Sequence, residues 1–444
     1  MLSKFFHLDR HSTTVGREAQ AGLTTFAAMA YILAVNPAIL ASTGMDKGAL
    51  VTVTAITAAA TTLMALLTNY PLALAPGMGI NAFFTYTICL GRGVPWPEAL
   101  GMVFINGLIF LALSVTGVRE KLIAAIPPSL KTAVTCGIGL FIAFIGLRNG
   151  GVVVANPATF VGPGDFTSGP AALCLAGIGL TAVLISYKVP GAIVLSMLAA
   201  TLAGLFVPAG GGAMLTQLPV HIFGLPHSPA PVMLKLSFHF LTTLAAFASA
   251  LPLILTLLLV DMFDNIGTLI GVTKRAGLLD AKGRLPKAGR ALLADSCATI
   301  LSALCGTSTV VSYIESAAGV EAGGRTGLTS LTTAALMLLA LFLTPLILAI
   351  PLAATAPALV IVGVFMMQSV VEIPMGDFSI AAPAVLTIFA IPLTFSIAQG
   401  MGLGLICAAL LALALRRPRS LPVLGYVAAG VFFFYFFKIW PFRG

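Results

Sequence analysis

Three acidic residues lie inside long apolar stretches of the sequence, where charged side chains are not expected. Asp261 and Asp264 are spaced i, i+3, so both carboxylates lie on one face of a predicted helix. Glu315 lies in another apolar stretch. A carboxylate at the centre of a bilayer costs at least ~2.5 kcal/mol, so such residues usually face a cavity and act on a substrate or an ion. Since no basic residue nearby is an obvious partner, we expect at least one aspartate to be protonated, as in a proton carrier, or hydrogen-bonded to a ligand.

A structural role is the alternative for these acids, because a buried carboxylate can also cap backbone groups or accept from serine and threonine. This alternative is strongest for Asp295, which lies near the end of its apolar stretch and close in sequence to Arg290. Glu321 lies at the end of a predicted short helix.

An amide and several aromatic side chains complete a candidate binding site. Asn81 follows an interruption rich in proline and glycine, and Glu315 follows a similar interruption later in the chain, so we expect the two to face one another. Phe83, Phe84 and Tyr313 lie close to them in sequence. Amide and carboxylate groups suit the polar edge of a planar molecule, and aromatic rings suit its faces. The pattern favours a flat, nitrogen-rich heterocycle as the ligand.

The elements that position these residues are predicted to be membrane helices. Of the 444 residues, 59% are apolar and only 8% are charged, against roughly 25% charged in a soluble domain. At ~20 residues per crossing, the apolar residues suffice for roughly 13 spans. Residues 334–350 are apolar on almost every side, which excludes the alternating strands of a barrel. The net charge of +9 arises from scarce acids rather than abundant bases, which argues against nucleic-acid binding.

The remaining reactive residue types form no pattern typical of catalysis or metal binding. The six cysteines lie almost entirely in apolar runs without CxxC spacing, so we expect free, buried thiols. The five histidines are scattered. No metal site and no cofactor are predicted, and an intramembrane enzyme would lack its nucleophile and base.

The hydropathy pattern and the positions of glycine and proline between apolar stretches predict two sets of seven membrane spans. The first set occupies residues 18–208 and the second 250–415, joined by a connector over 209–249. Residues 1–17 form a cytoplasmic N-terminus, and 416–444 a C-terminal segment with an extra apolar or interfacial helix. With this orientation, 17 of 21 assignable Lys and Arg residues are cytoplasmic, as the positive-inside rule requires. An odd number per set inverts the second repeat relative to the first, an architecture of transporters with a site at the midplane.

The third and tenth spans cannot be regular helices. Residues 72–78 are interrupted by proline and glycine, so they are expected to be extended. Residues 307–311 are β-branched or hydroxylated and predict a short strand before a half-helix. Because lipid cannot satisfy unpaired backbone groups, we expect the two interruptions to pair with each other. The helices that follow would then direct their N-termini at the protein centre.

Four motifs in order closely resemble the hypoxanthine/adenine/guanine permease branch of the nucleobase-cation symporter (xanthine/uracil permease) family. The likeness runs from about residue 6 to 415. The motifs are Ala21–Pro37, Ala75–Phe84, Val260–Gly271 and Gly306–Val320.

The resemblance implies a fold, a function and site residues. The fold is an all-α polytopic membrane protein of about 14 transmembrane helices, with a core of spans 1–4 and 8–11 and a gate of spans 5–7 and 12–14. The function is proton-coupled uptake of adenine, guanine or hypoxanthine across the cytoplasmic membrane, by an elevator-like movement of core against gate in a homodimer. The substrate contacts fall on Asn81, on Asp261 or Asp264, and on Glu315 with the preceding backbone at Ile314. Phe83 is a further candidate contact, and the three acids are the candidates for proton coupling.

Other functions remain open at this point. The same architecture serves anion transporters, although three nearby carboxylates disfavour an anion, and it also serves xanthine and uracil carriers. A channel would place the acids along a continuous polar path, which two interrupted spans do not suggest. Val310 and Val311 stand where many relatives have Thr or Ala, so the preferred purine is left undetermined.

Overall fold

The fold is mostly helical. The computed structural model describes residues 2–116, 127–210, 213–278, 285–417 and 421–437. In the first half, elements are named in chain order: α1 Leu2–Phe5, α2 Val15–Met29, α3 Ile32–Leu40, α4 Lys47–Ala58, α5 Thr61–Thr68, β1 Leu74–Pro76, α6 Met78–Ala82, a wide π-helical segment Phe83–Gly91, α7 Trp96–Thr116, α8 Pro128–Asn149, β2 Val153–Asn156, β3 Phe160–Pro163, α9 Gly169–Ser186, α10 Ala192–Ala203, β4 Pro208–Gly210 and β5 Ala213–Met214.

Among the described residues, the second half contains long helices and one short strand. Its elements are α11 Leu244–Arg275, α12 Ala288–Cys305, β6 Val310–Ser312, α13 Ser316–Glu321, α14 Gly327–Leu339, α15 Thr344–Leu348, α16 Leu352–Met367, α17 Phe378–Thr394, α18 Ile397–Ala414 and α19 Val423–Phe436. Short 3-10 turns lie at Leu8–His11, Ala41–Thr43, His239–Leu241, Ala340–Leu343 and Gln368–Glu372.

Within the described residues, nine helical segments are long and apolar enough to cross a membrane. Five shorter apolar helices accompany them, among them the segment after β1. This agrees with a polytopic membrane protein. The layout of 14 spans in two inverted repeats stays a prediction.

The helices pack in two groups. In one group, α2 packs on α14 and α13, and α7 packs on α12 and α11. In the other, α8 packs on α16 and α17, and α9 lies against α10 and α16. Contacts between the groups include α6 with α8 and α3 with α16. We call these the first group (α2–α7 with α11–α15) and the second group (α8–α10 with α16–α18).

A buried carboxylate ties the start of α2 to the start of α14. Glu18 is fully buried. It accepts hydrogen bonds from the backbone N–H groups of Arg325 (3.0 Å) and Thr326 (3.2 Å), and from the Thr329 hydroxyl (2.6 Å). Unpaired N–H groups at a helix start are costly to bury, so this carboxylate satisfies the α14 terminus in place of water.

Several elements differ from the expectation. The first span is interrupted at Ala30 and Tyr31, and the helix α11 begins at Leu244 rather than at residue 250. Two exposed hairpins, β2–β3 and β4–β5, lie in stretches expected to be loops. The β2–β3 turn is closed by the Asn156 side chain, which accepts from Ala158 N at 2.8 Å, a local bond that favours a tight turn.

Candidate functional site

The two interrupted spans cross at the centre of the first group, and their strands pair as predicted. Strand β1 pairs antiparallel with β6, with Leu74 opposite Ser312 and Pro76 opposite Val310. The ladder is extended at both ends, since Gly77 N donates to Thr309 O (2.9 Å) and Tyr313 N donates to Ala73 O (2.9 Å). All three residues of each strand are buried.

Side chains from four surrounding helices satisfy the edges of this two-stranded sheet. In a membrane, an open sheet edge would leave unpaired backbone groups at a cost of several kcal/mol each. Here the edges bond to hydroxyl and amide groups instead: Leu74 N to Thr61 Oγ1 (2.7 Å), Thr61 Oγ1 to Leu74 O (3.0 Å), Ala73 N to Ser316 Oγ (2.9 Å), Ser312 N to Asn265 Oδ1 (2.8 Å) and Thr299 Oγ1 to Val310 O (3.3 Å).

A small cleft of about 70 Å³ opens beside the crossing. Most of its lining belongs to the first group, and Val362 and Met366 are contributed by α16 of the second group. The lining residues are Tyr31, Met78, Gly79, Thr268, Val311, Ser312, Tyr313, Ile314, Glu315, Val362 and Met366.

Glu315 is the carboxylate of this cleft. It directly precedes α13 and accepts a hydrogen bond of 2.5 Å from the phenolic O–H of Tyr31. Tyr31 is fully buried at the interruption of the first span, between α2 and α3. The bond therefore joins the first span to the tenth across the cleft. Ile314, the neighbouring residue, is half-exposed and also lines the cleft.

Asp261 lies beside the crossing but does not line the cleft. Its carboxylate is fully buried and accepts from the side-chain amides of Asn265 (2.9 Å) and Asn106 (3.2 Å). Because Asn265 also accepts from Ser312 N at 2.8 Å, Asp261 is connected to strand β6 through one side chain. The side chain of Asp264 lies outside the part of the structure that is described.

Asn81 is fully buried in a polar network that holds the first span against the two interruptions. Its amide N–H donates to Asn36 Oδ1 (2.7 Å), and its Oδ1 accepts from the Ser308 hydroxyl. Asn36 in turn donates to Thr54 (2.6 Å) and Thr307 (3.2 Å). Asn81 is thus hydrogen-bonded to protein groups and is not among the residues that line the cleft. Phe83 is fully buried in the core and is not among the lining residues either.

Several residues that line the cleft are not among those predicted from the sequence. Tyr31 is not predicted, because it lies in an apolar run and no proline or glycine next to it indicates that the first span is interrupted there. Val362 and Met366 lie on an ordinary apolar helix and are spaced i, i+4, which is also the spacing of a lipid-facing stripe. Thr268 had a usable signal, since it follows Asp264 by one helical turn on the acid-bearing face.

The arrangement offers hydrogen-bond acceptance and apolar walls rather than covalent chemistry. No group of three or more His, Cys, Asp or Glu residues that could hold a metal occurs in the part of the chain that the structure describes. A larger cavity of about 290 Å³ lies between α8, α17 and α18, with Asp377 and Arg417 in its lining, and shares no residue with the cleft.

The sequence matches known transporters over almost its whole length. The profile of a permease family, that of the xanthine/uracil permeases, matches residues 16–403. The guanine/hypoxanthine permease PbuG of Bacillus subtilis is 42% identical over 445 residues, covering 98% of this chain and 99% of the relative. The adenine permease AdeP of Escherichia coli is 40% identical over 427 residues, covering 95% and 92%.

The fold is also similar to that of a solved transporter. The transmembrane domain of the cyanobacterial bicarbonate transporter BicA superposes with a TM-score of 0.65 at 16% sequence identity, covering 86% of this chain and 96% of that domain. At this identity the similarity concerns the fold alone.

Proposed function

Because the chain belongs to the xanthine/uracil permease family, and is accordingly a membrane transporter rather than an enzyme, we propose that it carries the purine nucleobases adenine, guanine or hypoxanthine into the cell. The relatives named above are permeases for these three purines. Xanthine and uracil carriers of the same family are the alternative substrate class.

The observation that carries the proposal is the Glu315–Tyr31 pair in the cleft beside the strand crossing. A neutral purine presents ring N–H and exocyclic NH₂ donors along one edge, and a carboxylate offers acceptors only. Met78, Val362 and Met366 supply apolar, polarisable surface for the ring faces. A carboxylate at this point also disfavours an anion, since like charges in a site of low dielectric repel strongly.

We propose that uptake is driven by the proton gradient, with Asp261 or Asp264 as the carrier. The sequence contains no GxxxxGK[ST] nucleotide-binding motif, so an ion gradient is the available energy source. In this proposal the first group moves against the second in an elevator-like step, with the N-terminus in the cytoplasm and the protein in the cytoplasmic membrane as a homodimer.

Uptake of labelled purine into proteoliposomes tests the substrate class. Unlabelled adenine, guanine, hypoxanthine, xanthine, uracil and bicarbonate should be compared as competitors. We expect one or more of the first three to compete at the lowest concentration, a protonophore to abolish accumulation and removal of sodium to leave it unchanged. Competition by uracil or bicarbonate alone would contradict the substrate assignment, and dependence on sodium without an effect of pH would contradict the coupling ion.

A further inference from the structure

Each oxygen of the Asp261 carboxylate accepts a hydrogen bond from a side-chain amide, and the orientation of only one of these two amides is fixed. Asn265 donates to Oδ1 and Asn106 donates to Oδ2. The Asn265 amide cannot be reversed, because its own Oδ1 accepts from Ser312 N in strand β6 and a backbone N–H can only donate. Oδ1 of Asp261 must therefore remain an acceptor as long as the strand contact persists.

The Asn106 amide has no such restriction. Asn106 is fully buried on α7, and its Oδ1 has no hydrogen-bond partner among the groups that the structure describes. A buried acceptor without a partner carries a desolvation cost of about 1–3 kcal/mol. A half-turn of this amide exchanges its two ends, so that the unpaired oxygen faces Asp261 in place of the NH₂ group.

We infer that Asn106 is a positioning residue that lets Asp261 bind and release a proton at Oδ2. With the carboxylate ionised, Asn106 donates to Oδ2. When a proton binds, an O–H bond forms on Oδ2, the carboxylate charge falls to zero, and the reversed Asn106 amide accepts from the new O–H. The contact of Asn265 with β6 is the same in both states. This inference rests on the proposed proton coupling and adds to it the residue that makes both states of Asp261 tolerable.

Other ionisable groups belong to the elements that pack against Asp261. They are Asp264, Lys274 and Arg275 on α11 itself and, on the elements that pack against α11, Glu98 on α7, His239 in the 3-10 turn His239–Leu241, Glu315 just before α13, Glu321 within α13, Lys131 and Arg148 on α8, and Cys407 on α18. Arg290 and Asp295 lie on α12, which packs on α7. Asn106 contacts Oδ2 through a neutral amide, which can either donate or accept, whereas an ionised carboxylate can only accept and an ammonium or guanidinium group can only donate.

Two substitutions separate this role from a structural one. Asn106→Leu keeps the size but removes both the donor and the acceptor. Asn106→Asp keeps the shape and forms a carboxyl pair with Asp261, in which one proton is held to higher pH. Ser114→Ala is the matched control, because it removes another polar contact of α7, that of Ser114 Oγ with Ser296 Oγ at 3.1 Å.

The measurements use reconstituted protein and tritiated adenine, guanine or hypoxanthine, whichever the wild type takes up. We expect Asn106→Leu to exchange internal for external purine within about twofold of the wild type, but to lose proton-driven accumulation and purine-induced proton uptake at least tenfold. Asn106→Asp should move the midpoint of the pH–uptake profile upward by one unit or more. Ser114→Ala should resemble the wild type in both assays.

The inference fails if Asn106→Leu accumulates purine with the wild-type pH profile, or if it loses exchange and accumulation equally. Should Asn106→Leu not elute as a folded protein from size exclusion, Asn106→Asp decides the matter, and an unchanged pH midpoint overturns the inference. Failure of the proposed function is a different result, in which the wild type itself moves no protons with the purine.

Discussion

Among the membrane acids whose side chains the structure describes, Glu315 is the one that lines the cleft. A charge-assisted hydrogen bond contributes roughly 1.5–3 kcal/mol, so its loss should weaken binding about ten- to a hundredfold. Glu315→Gln keeps the size but replaces one acceptor oxygen with a donor. We expect this variant to insert and fold normally while equilibrium binding of labelled purine falls by that factor.

Tyr31→Phe provides the control for this prediction, because it removes the O–H that Glu315 accepts at 2.5 Å without changing the carboxylate. We expect Tyr31→Phe to lower the affinity for purine only a few-fold, less than Glu315→Gln. The reason is that the Tyr31 hydroxyl orients the carboxylate and does not itself contact the ligand. Wild-type affinity in Glu315→Gln would show that this carboxylate is structural and that the ligand binds elsewhere.

The two aspartates of α11, Asp261 and Asp264, should respond differently to amidation. Asp261 is buried behind the cleft and bonded to two amides, so Asp261→Asn should still bind purine and exchange it but should no longer accumulate it against a gradient. Asp264→Asn is expected to lose binding, as the ligand contact. Binding by equilibrium dialysis and accumulation in proteoliposomes separate the two effects. Normal binding and accumulation in both variants would remove both aspartates from the mechanism.

At the residue scale, the sequence predicts a site residue well where a charged side chain lies in an apolar stretch. A carboxylate in an apolar stretch is costly wherever it lies, so Glu315 and Asp261 were identifiable as unusual before any contact was known. Their surroundings were not predictable. Asn81 was expected to face Glu315, but its amide bonds to Asn36 and Ser308, because a buried amide is satisfied by whichever partners the packing brings near.

At the scale of elements, the paired strands β1 and β6 are the feature that positions the cleft. Their pairing could be predicted because Pro and Gly exclude a helix in one span, β-branched residues weaken it in the other, and lipid leaves no other partner. The groups that close the sheet edges could not be predicted. Thr61, Asn265, Thr299 and Ser316 are polar residues of four different helices, and only the three-dimensional packing brings them to the strands.

Removal of one edge partner should destabilise the whole crossing. Thr61→Val keeps the shape of the side chain but leaves Leu74 N and Leu74 O without the hydroxyl that bonds to both. A buried group left unsatisfied costs about 1–3 kcal/mol. We expect a lower midpoint in thermal unfolding of the detergent-purified protein, and raised unfolding rates.

Thr116→Val is the matched control, since among the described residues the Thr116 hydroxyl bonds to its own exposed helix end, at Ala112 O (2.9 Å) and Leu113 O (3.4 Å). It should unfold like the wild type. Equal unfolding midpoints for Thr61→Val and Thr116→Val would mean that the edge bond contributes nothing measurable to the stability of the crossing.

At the scale of the whole molecule, the distribution of basic residues predicts the orientation in the membrane. With the N-terminus inside, 17 of 21 assignable Lys and Arg residues are cytoplasmic, Lys282 among them. In a variant without native cysteines, Lys282→Cys should resist an external membrane-impermeant thiol reagent in intact cells. Phe160 of the β2–β3 hairpin is 86% exposed and is external in the predicted orientation, so Phe160→Cys should react. The reverse pattern would overturn the orientation.

The contact between the two helix groups allows a test of their relative movement. A Cβ atom at Gly79 of α6 would lie 3.9 Å from Ile138 Cβ of α8, within the 3.5–4.5 Å span of a disulfide. The same Cβ would meet Ile138 Cγ2 at 2.5 Å, a clash that the second replacement removes. Gly79→Cys combined with Ile138→Cys should therefore form a disulfide readily under mild oxidation.

If transport requires the first group to move against the second, this crosslink must stop it. We expect oxidation to reduce purine uptake at least tenfold, and reduction to restore it, whereas each single variant should be insensitive to oxidant. Binding of purine to the oxidised protein should persist, because the crosslink holds the arrangement in which Glu315 and Tyr31 are already paired. Unimpaired uptake by protein shown by mass spectrometry to be crosslinked would exclude movement at the contact of α6 with α8, and an elevator-like step with it.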